Sequence, residues 1–181
     1  MGVAFRYLAG TPSAEPTRRI RSLCVPGLHR FIWYNVNRQL AKYKMNHSEH
    51  TLKNVIQYAG DRIKVAGDIL DFVDFFLPDD AFPYDEKAFA KRITEPPEAV
   101  PLLRDFRDEL AKQDDFGHAA LEQLMGRFIE AKQIKVNQVI HALRVAVTGK
   151  SVGLGMFETL EILGKERVLR RIDRVLTEPQ A

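Results

Sequence analysis

The segment that decides the fold covers residues 134–165 and reads IKVNQVIHALRVAVTGKSVGLGMFETLEILGK. Its apolar residues recur every three or four positions on both sides of a glycine-rich stretch, as they do in helices that bury one face. Glycines separate helices and permit tight turns. The segment therefore predicts two helices joined by a short turn, with Arg144 and Lys150 placed around that turn. This arrangement suits a surface that holds an anionic ligand.

The turn contains Thr148-Gly-Lys-Ser, which matches part of a nucleotide-binding loop. That loop needs a glycine, four further residues and then Gly-Lys-Ser/Thr, because its glycines let backbone amides wrap around phosphates. Arg144 occupies the position of the first glycine. The residues before the turn also predict a helix, where the motif needs a strand followed by a loop. The sequence therefore excludes a nucleotide-binding loop.

Helical periodicity extends over most of the remaining chain. Apolar spacing predicts one long amphipathic helix over residues 50–77, with Asn46 or Ser48 as its cap and Pro78 at its end. Further helices are predicted at residues 85–93, 101–110, 116–129, 136–147, 155–163 and 166–176. No run alternates apolar and polar residues in the way that strands do. The sequence predicts an all-α protein.

Proline and charge patterns suggest how the chain is divided. Glu95-Pro-Pro interrupts the helical pattern, which predicts one helical subdomain at residues 46–95 and a second at 96–181. Residues 1–45 are basic and have no clear predicted structure. Residues 1–46 hold eight basic residues and one acid, although the net charge of the chain is only +3. Such polarity favours an anionic partner, and ordinary solvated helix faces are the alternative.

Several classes of protein are excluded by composition. No apolar run approaches the length of about 20 residues that spans a bilayer, and the first residues do not form a secretory signal. The single cysteine, Cys24, excludes a disulfide framework and a cysteine-rich zinc site. We expect a cytoplasmic protein. An organellar targeting role for the arginine-rich residues 1–45 stays open.

No catalytic or metal-binding residue is predicted. His47 and His50 lie close in the sequence, but two ligands without a third do not make a zinc site. The paired acids at residues 79–80 and 114–115 fall in turns, where aspartate is favoured for hydrogen bonding to the backbone. No Ser/His/Asp or Cys/His set is recognisable from its spacing.

The strongest candidates are residues that bind RNA or phosphate. Arg62 and Arg144 can contact a phosphate or a base edge at two points, which lysine cannot do. Residues 153–156, Gly-Leu-Gly-Met, are expected to bring backbone amides and apolar side chains close to unpaired bases. Lys64 and Lys150 are candidates for phosphate contacts. The alternative for each arginine is an ion pair, which for Arg62 requires an acid from another helix.

Several sequence blocks resemble the C-terminal anticodon-binding region of bacterial-type glutamyl-tRNA synthetases. The blocks are Gly60-Asp-Arg-Ile-Lys, Asp74-Phe-Phe-Leu, Pro83-Tyr-Asp-Glu-Lys, Ile129-Glu-Ala-Lys-Gln-Ile-Lys-Val-Asn-Gln-Val, Ala142-Leu-Arg-Val-Ala-Val-Thr-Gly, Phe157 in the turn beyond, and Leu163-Gly-Lys-Glu-Arg-Val-Leu-Arg-Arg-Ile. The resemblance covers residues 50–177. It implies a helical cage of two small packed subdomains that binds the anticodon loop of a tRNA, most naturally glutamate tRNA.

The resemblance also implies roles for individual residues. Arg62 falls where a family arginine inspects the last anticodon base, and Arg144 where another contacts the anticodon. The turn that packs against those nucleotides corresponds to Gly153, Leu154 and Met156. The family usually has proline in this turn, where this chain has Leu154.

The same family activates glutamate with ATP in a Rossmann-type domain carrying His-Ile-Gly-His-like and Lys-Met-Ser-Lys-Ser-like motifs. Neither motif occurs in this sequence. We therefore expect a chain that binds tRNA without charging it and has no cofactor of its own, so that ATP and Mg²⁺ would act only in a catalytic domain or partner chain. The alternatives are a tRNA-binding accessory subunit and a helical adaptor that docks a protein through Phe31, Trp33 and Tyr34.

Overall fold

The computed structural model describes residues 38, 48–80 and 82–177, and the fold of that part is helical without a strand. The all-α prediction is confirmed. The α-helices are α1 (Glu49–Ala59), α2 (Glu86–Phe89), α3 (Ala99–Lys112), α4 (His118–Lys132), α5 (Asn137–Thr148), α6 (Met156–Leu163) and α7 (Lys165–Thr177). The remaining helical segments are two 3-10 segments, Gly60–Arg62 and Ala66–Phe75, and a π-helical turn at Ala90–Thr94.

The prediction of one long helix over residues 50–77 is wrong. α1 ends at Ala59 and is capped by Gly60, whose φ of 51° lies in the region that favours glycine. The backbone amides of Lys64 and Val65 then donate to Asp68 Oδ2 at 2.7 and 2.9 Å, which fixes a bend. Apolar residues still recur every three or four positions because a 3-10 helix also buries one face. The bend places Arg62 beside a kink rather than in the middle of a helix.

The predicted helix starts are confirmed at two positions. Ser48 caps α1, and its Oγ accepts the N–H of Thr51 at 3.0 Å. Asp85 caps α2, and its Oδ1 accepts the N–H of Ala88 at 2.8 Å. Each cap satisfies an amide that lacks a partner within its helix. Together they set where the chain enters both helices.

A single apolar core joins the described helices. α7 packs on α3, α5 and α6, while α1 and α4 pack on α6. The buried apolar residues of 46–95 and 96–181 belong to the same core. Fully buried side chains at its centre are Leu103, Phe106, Leu143, Leu160 and Ile172. In the part of the chain that the structure describes, every helix is too short or too polar to cross a lipid bilayer.

A buried arginine joins α7 to the residues before α2. The side chain of Arg171 is fully buried, and its Nε donates to Asp79 Oδ1 at 2.8 Å. Its two terminal nitrogens donate to the carbonyl oxygens of Val147 and Asp74. The guanidinium carbon also lies 4.3 Å from the centre of the Phe82 ring. One side chain thereby connects α5, α7 and the segment that follows the second 3-10 helix.

Asp79 is expected to make the stability of the fold depend on pH. Burial alone would raise the pKa of Asp79, but hydrogen bonds from Arg171 and Arg170 and the charge of Arg167 hold that pKa below its usual range. A carboxylate with a lower pKa in the folded state stabilises the fold above its unfolded pKa of about 3.9. That contribution is lost as the pH falls through the folded pKa.

The measurement is the free energy of unfolding of the wild type and of Asp79→Asn, by urea denaturation between pH 7 and pH 3. We expect the difference between the two proteins to be constant down to about pH 5 and to shrink below about pH 4. Asp105→Asn is the matched control, because Asp105 pairs with Lys132 on an exposed surface. A difference of equal size at pH 7 and pH 3 would contradict the assigned role of Asp79.

Candidate nucleic-acid interface

The turn between α5 and α6, residues 149–155, is fixed at its first residue. Gly149 has φ of 74°, and its N–H donates to the carbonyl of Val145 at 2.8 Å. Its own carbonyl accepts the N–H of Asp85 at 2.8 Å. A Cβ atom at this position would collide with the carbonyl oxygen of Pro83. Both the conformation and the close approach therefore require glycine.

Both predicted arginines contact the backbone of this turn. Arg62 Nη1 donates to the carbonyl of Gly153 at 2.8 Å, and Arg144 Nη1 donates to the carbonyl of Leu154 at 2.6 Å. A Cβ atom on Gly153 would lie 3.6 Å from Arg144 Nη1. The guanidinium groups therefore hold two successive carbonyls of the turn. The hydrogen-bond partner of Arg62 is this carbonyl rather than the acid that the ion-pair alternative required.

The contacts with the turn leave the positive charge of the two arginines in place, since carbonyl oxygens are neutral acceptors. Burial lowers the pKa of Arg144, the charge of Glu158 opposes this shift, and the nearby charge of Arg62 adds to it. An arginine stays protonated at neutral pH despite such shifts. Two cations held close together in this way create a positive potential that suits an anionic ligand.

His141 on α5 lies near both Arg144 and Arg92, and neither His141 nor Arg92 was predicted for the site. His141 lies three positions before Arg144, so the two share a face of the helix. Burial lowers the pKa of His141, and the charges of Arg92 and Arg144 lower it further. Arg92 comes from the π-helical turn, which packs on α5. The spacing of His141 and Arg144 was visible in the sequence, whereas the approach of Arg92 depends on packing.

The two predicted lysines have different environments. Lys150 Nζ donates to Asp74 Oδ1 at 2.6 Å and to the carbonyl of Asp71 at 2.9 Å. Its charge is therefore balanced by Asp74, and it holds the turn against the second 3-10 segment. Lys64 is exposed, and its backbone amide is bound by Asp68. Of the two, Lys64 is the more exposed residue, and it lies two positions after Arg62 in the chain.

Two apolar side chains that we expected to lie close to a bound base are buried instead. Leu154 and Met156 are each only 3% exposed and belong to the core. Val152, which was not a predicted site residue, is 76% exposed. Phe157 lies in α6 rather than in the turn, and its ring packs edge-on against His118 at 5.6 Å. Leu154 and Met156 can therefore face a ligand only through their backbone.

The remaining candidates from the sequence are the histidines near residue 50 and three aromatic residues of the N-terminal segment. Among the described residues, no group of three or more His, Cys, Asp or Glu side chains is arranged to hold a metal ion. His47, Phe31, Trp33 and Tyr34 lie outside the described residues.

The fold and the surface define a small helical domain that presents two arginines on a tightly held turn, a class of domain suited to an anionic ligand. The family model described as the anticodon binding domain matches residues 29–176 of the chain. The chain belongs to this family of anticodon-binding domains.

Similar proteins agree with this assignment. Glutamate–tRNA ligase of Moorella thermoacetica is 36% identical over 123 residues, which are 68% of this chain and 25% of that protein. The Streptomyces coelicolor enzyme of the same name is 41% identical over 123 residues, or 67% of this chain and 24% of that protein. The chain thus spans about a quarter of the length of the curated relatives that it matches.

The fold is also found in solved structures. A glutamate tRNA ligase from Elizabethkingia meningosepticum, crystallised with its amino acid, superposes with a TM-score of 0.73 and 22% identity. The matched region covers 83% of this chain and 29% of that structure. Glutamate–tRNA synthetase from Elizabethkingia anophelis gives a TM-score of 0.69 at 21% identity, over 82% of this chain and 28% of that one. At this identity the two structures support the fold alone.

Proposed function

We propose that the chain binds the anticodon loop of a tRNA, with glutamate tRNA as its preferred ligand. The observation that carries the proposal is the convergence of Arg62 and Arg144 on two successive carbonyls of one turn. Family membership supports an anticodon loop as the ligand, and the names of the relatives support the glutamate type.

The arginines have donors to offer an RNA. A guanidinium carries five N–H donors, and each of these arginines uses Nη1 for the turn. The remaining donors can bind a phosphate or the edge of a base at two points. Gly153, Leu154 and Met156 contribute through the backbone of the turn and the start of α6. Lys64 is assigned to a phosphate, and Lys150 is assigned to holding the turn.

Charging of the bound tRNA with an amino acid would need catalytic groups beyond the described residues. Glutamylation of the bound tRNA would use ATP and Mg²⁺ in a catalytic domain or a catalytic partner chain. On this proposal the described residues select and hold the tRNA and carry out no chemical step. The proposal places the chain in the cytoplasm, where its tRNA would be charged.

Loss of either arginine is expected to weaken RNA binding. Arg62→Met and Arg144→Met should each raise the Kd for the anticodon stem-loop of glutamate tRNA by about 10- to 100-fold, since a good two-point contact is worth about 1–3 kcal/mol. If the lost contact is to a phosphate, the slope of log K against log salt should fall by about 0.7. The measurement is fluorescence anisotropy at several salt concentrations, and urea denaturation verifies that each variant is folded.

Arg127→Met is the matched control. Arg127 is exposed on α4 and lines a groove between α3 and α4, so its removal costs one positive charge on another surface. We expect its Kd to stay within about threefold of the wild type, because salt and solvent screen an exposed charge that does not lie on the turn. Equal weakening by Arg127→Met and the two test variants would show nonspecific attraction and contradict the proposed interface.

A further inference from the structure

A half-exposed aromatic ring lies beside the proposed interface. Among the described residues, the large apolar side chains that are exposed are Tyr58, Val136 and Val152. Val152 is in the turn itself. Tyr58 is 36% exposed, and its hydroxyl donates to Glu161 Oε2 at 2.9 Å. The ring is therefore held at the surface by a hydrogen bond to α6, the helix that directly follows the turn.

Tyr58 and Arg62 reach the two ends of one segment. Arg62 contacts Gly153 in the turn, whereas Tyr58 contacts Glu161 on α6. Between the start of α6 at Met156 and Glu161 the helix rises by about 8 Å. Because both residues contact the same segment, the turn and the helix that follows it, we expect an RNA strand that lies on Arg62 to run past Tyr58.

The charge around Tyr58 is opposite to that around the arginines. The hydrogen bond to Glu161 raises the pKa of Tyr58, burial raises it as well, and the charges of Glu161 and Glu158 add to the shift. Tyr58 therefore remains a neutral phenol at physiological pH. The two carboxylates repel phosphate, but a carboxylate accepts hydrogen bonds from the amino group of a base. An aromatic face also stacks on any unpaired base.

Glu158 is placed so that it can accept such a bond. It lies in the first turn of α6, and its side chain is 29% exposed. Its Oε1 lies 3.6 Å from Nε2 of His118, and its charge reaches both Arg144 and Tyr58. Glu158 also lies three positions before Glu161 on α6, so the two carboxylates share a face of that helix.

We propose that Tyr58, Glu158 and Glu161 form a subsite for one unpaired base that carries an amino group, next to the phosphate-binding pair of Arg62 and Arg144. Tyr58 supplies the stacking face, Glu161 holds that ring in place, and Glu158 accepts from the amino group. The inference rests on the proposed binding of an anticodon loop and adds the residues that distinguish one base from another.

The stacking role is tested with Tyr58→Leu and Tyr58→Phe. The leucine variant removes the ring, whereas the phenylalanine variant keeps the ring and removes only the bond to Glu161. For the anticodon stem-loop of glutamate tRNA we expect Tyr58→Leu to raise the Kd by about 5- to 150-fold. Tyr58→Phe should stay within about threefold of the wild type, since the ring still stacks. Unchanged binding by Tyr58→Leu, or equal losses in both variants, would overturn the stacking role.

Base selection is tested with Glu158→Gln and stem-loops in which each loop base with an amino group is replaced in turn by uridine. At one loop position we expect replacement by uridine to raise the Kd of the wild type by about tenfold or more. In Glu158→Gln the same replacement should raise the Kd by only about threefold or less, because the acceptor for the amino group is lost. Glu130→Gln, an exposed position on α4, is the control and should keep the wild-type ratio. A ratio unchanged by Glu158→Gln would overturn the role of the carboxylate.

The experiments distinguish loss of the base subsite from loss of RNA binding altogether. Binding that depends on Arg62 and Arg144 but not on Tyr58 or Glu158 would remove the subsite and leave the proposed function intact. Absence of salt-sensitive RNA binding by the wild type would remove both. Urea denaturation of every variant separates a lost contact from a lost fold.

Discussion

Arg171→Met is expected to lower the free energy of unfolding by about 3–5 kcal/mol, the usual cost of removing one partner of a buried charge pair. The side chain of Arg171 is fully buried and donates to Asp79 and to the carbonyls of Val147 and Asp74. Methionine fills a similar volume but removes the donor to the two buried carbonyls, whereas Asp79 keeps its hydrogen bonds from Arg167 and Arg170. The measurement is urea denaturation followed by circular dichroism at pH 7.

Arg170→Met provides the matched control for Arg171. Arg170 also donates to Asp79, but its side chain is 57% exposed. Water can replace the lost contact there, so we expect a change of about 1 kcal/mol or less. Equal effects of the two substitutions would show that burial of Arg171 does not determine its contribution.

Gly149→Ala is expected to cost about 3 kcal/mol of stability, because a left-handed conformation and a backbone collision add together. Gly149 has φ of 74°, and an added Cβ meets the carbonyl oxygen of Pro83. Relief of that collision would also weaken the bond from the Asp85 N–H to the Gly149 carbonyl. We therefore expect the variant to show weaker RNA binding even at temperatures where it remains folded.

Gly126→Ala is the control for Gly149. Gly126 lies within α4, and an added Cβ there meets no atom within 4 Å. Alanine in a helix interior should raise stability by about 0.5–1 kcal/mol. Thermal denaturation of both variants gives the comparison, and a neutral Gly149→Ala would contradict the described geometry of the turn.

Local sequence patterns were sufficient to predict most of the helices. The segment at residues 134–165 predicted α5, the turn and α6, because its apolar spacing and its glycines point to the same structure. The same spacing gave the wrong result at residues 50–77. A 3-10 segment buries one face at almost the same period, so periodicity could not detect the break at Gly60.

The site was predictable in its residue types but not in its geometry. Arg62 and Arg144 were selected because arginine is suited to phosphates and base edges. Arg144 contacts Leu154 only 10 positions away, but Arg62 reaches Gly153 across 91 positions, so their shared attachment to the turn could not be read from local spacing. The burial of Leu154 likewise depends on which side of the turn faces the core.

Asp79 is a residue of the fold whose role could not be predicted from the local sequence. In the sequence it is one of two adjacent acids in a turn, where aspartate is common. In the structure it accepts hydrogen bonds from Arg167, Arg170 and Arg171, which lie 88 to 92 positions further along the chain. Long-range ion pairs of this kind leave no local pattern, so the residue that joins α7 to the first half of the domain was not recognised.

The most direct test of the account is an anisotropy titration of the wild-type protein with two RNAs, the anticodon stem-loop of glutamate tRNA and that of an unrelated tRNA. We predict tighter binding to the glutamate stem-loop by about tenfold or more, with a Kd that rises steeply with salt. In the Arg62→Met/Arg144→Met double variant this preference should disappear. Equal binding of the two RNAs by the wild type, or binding that does not respond to salt, would contradict the account.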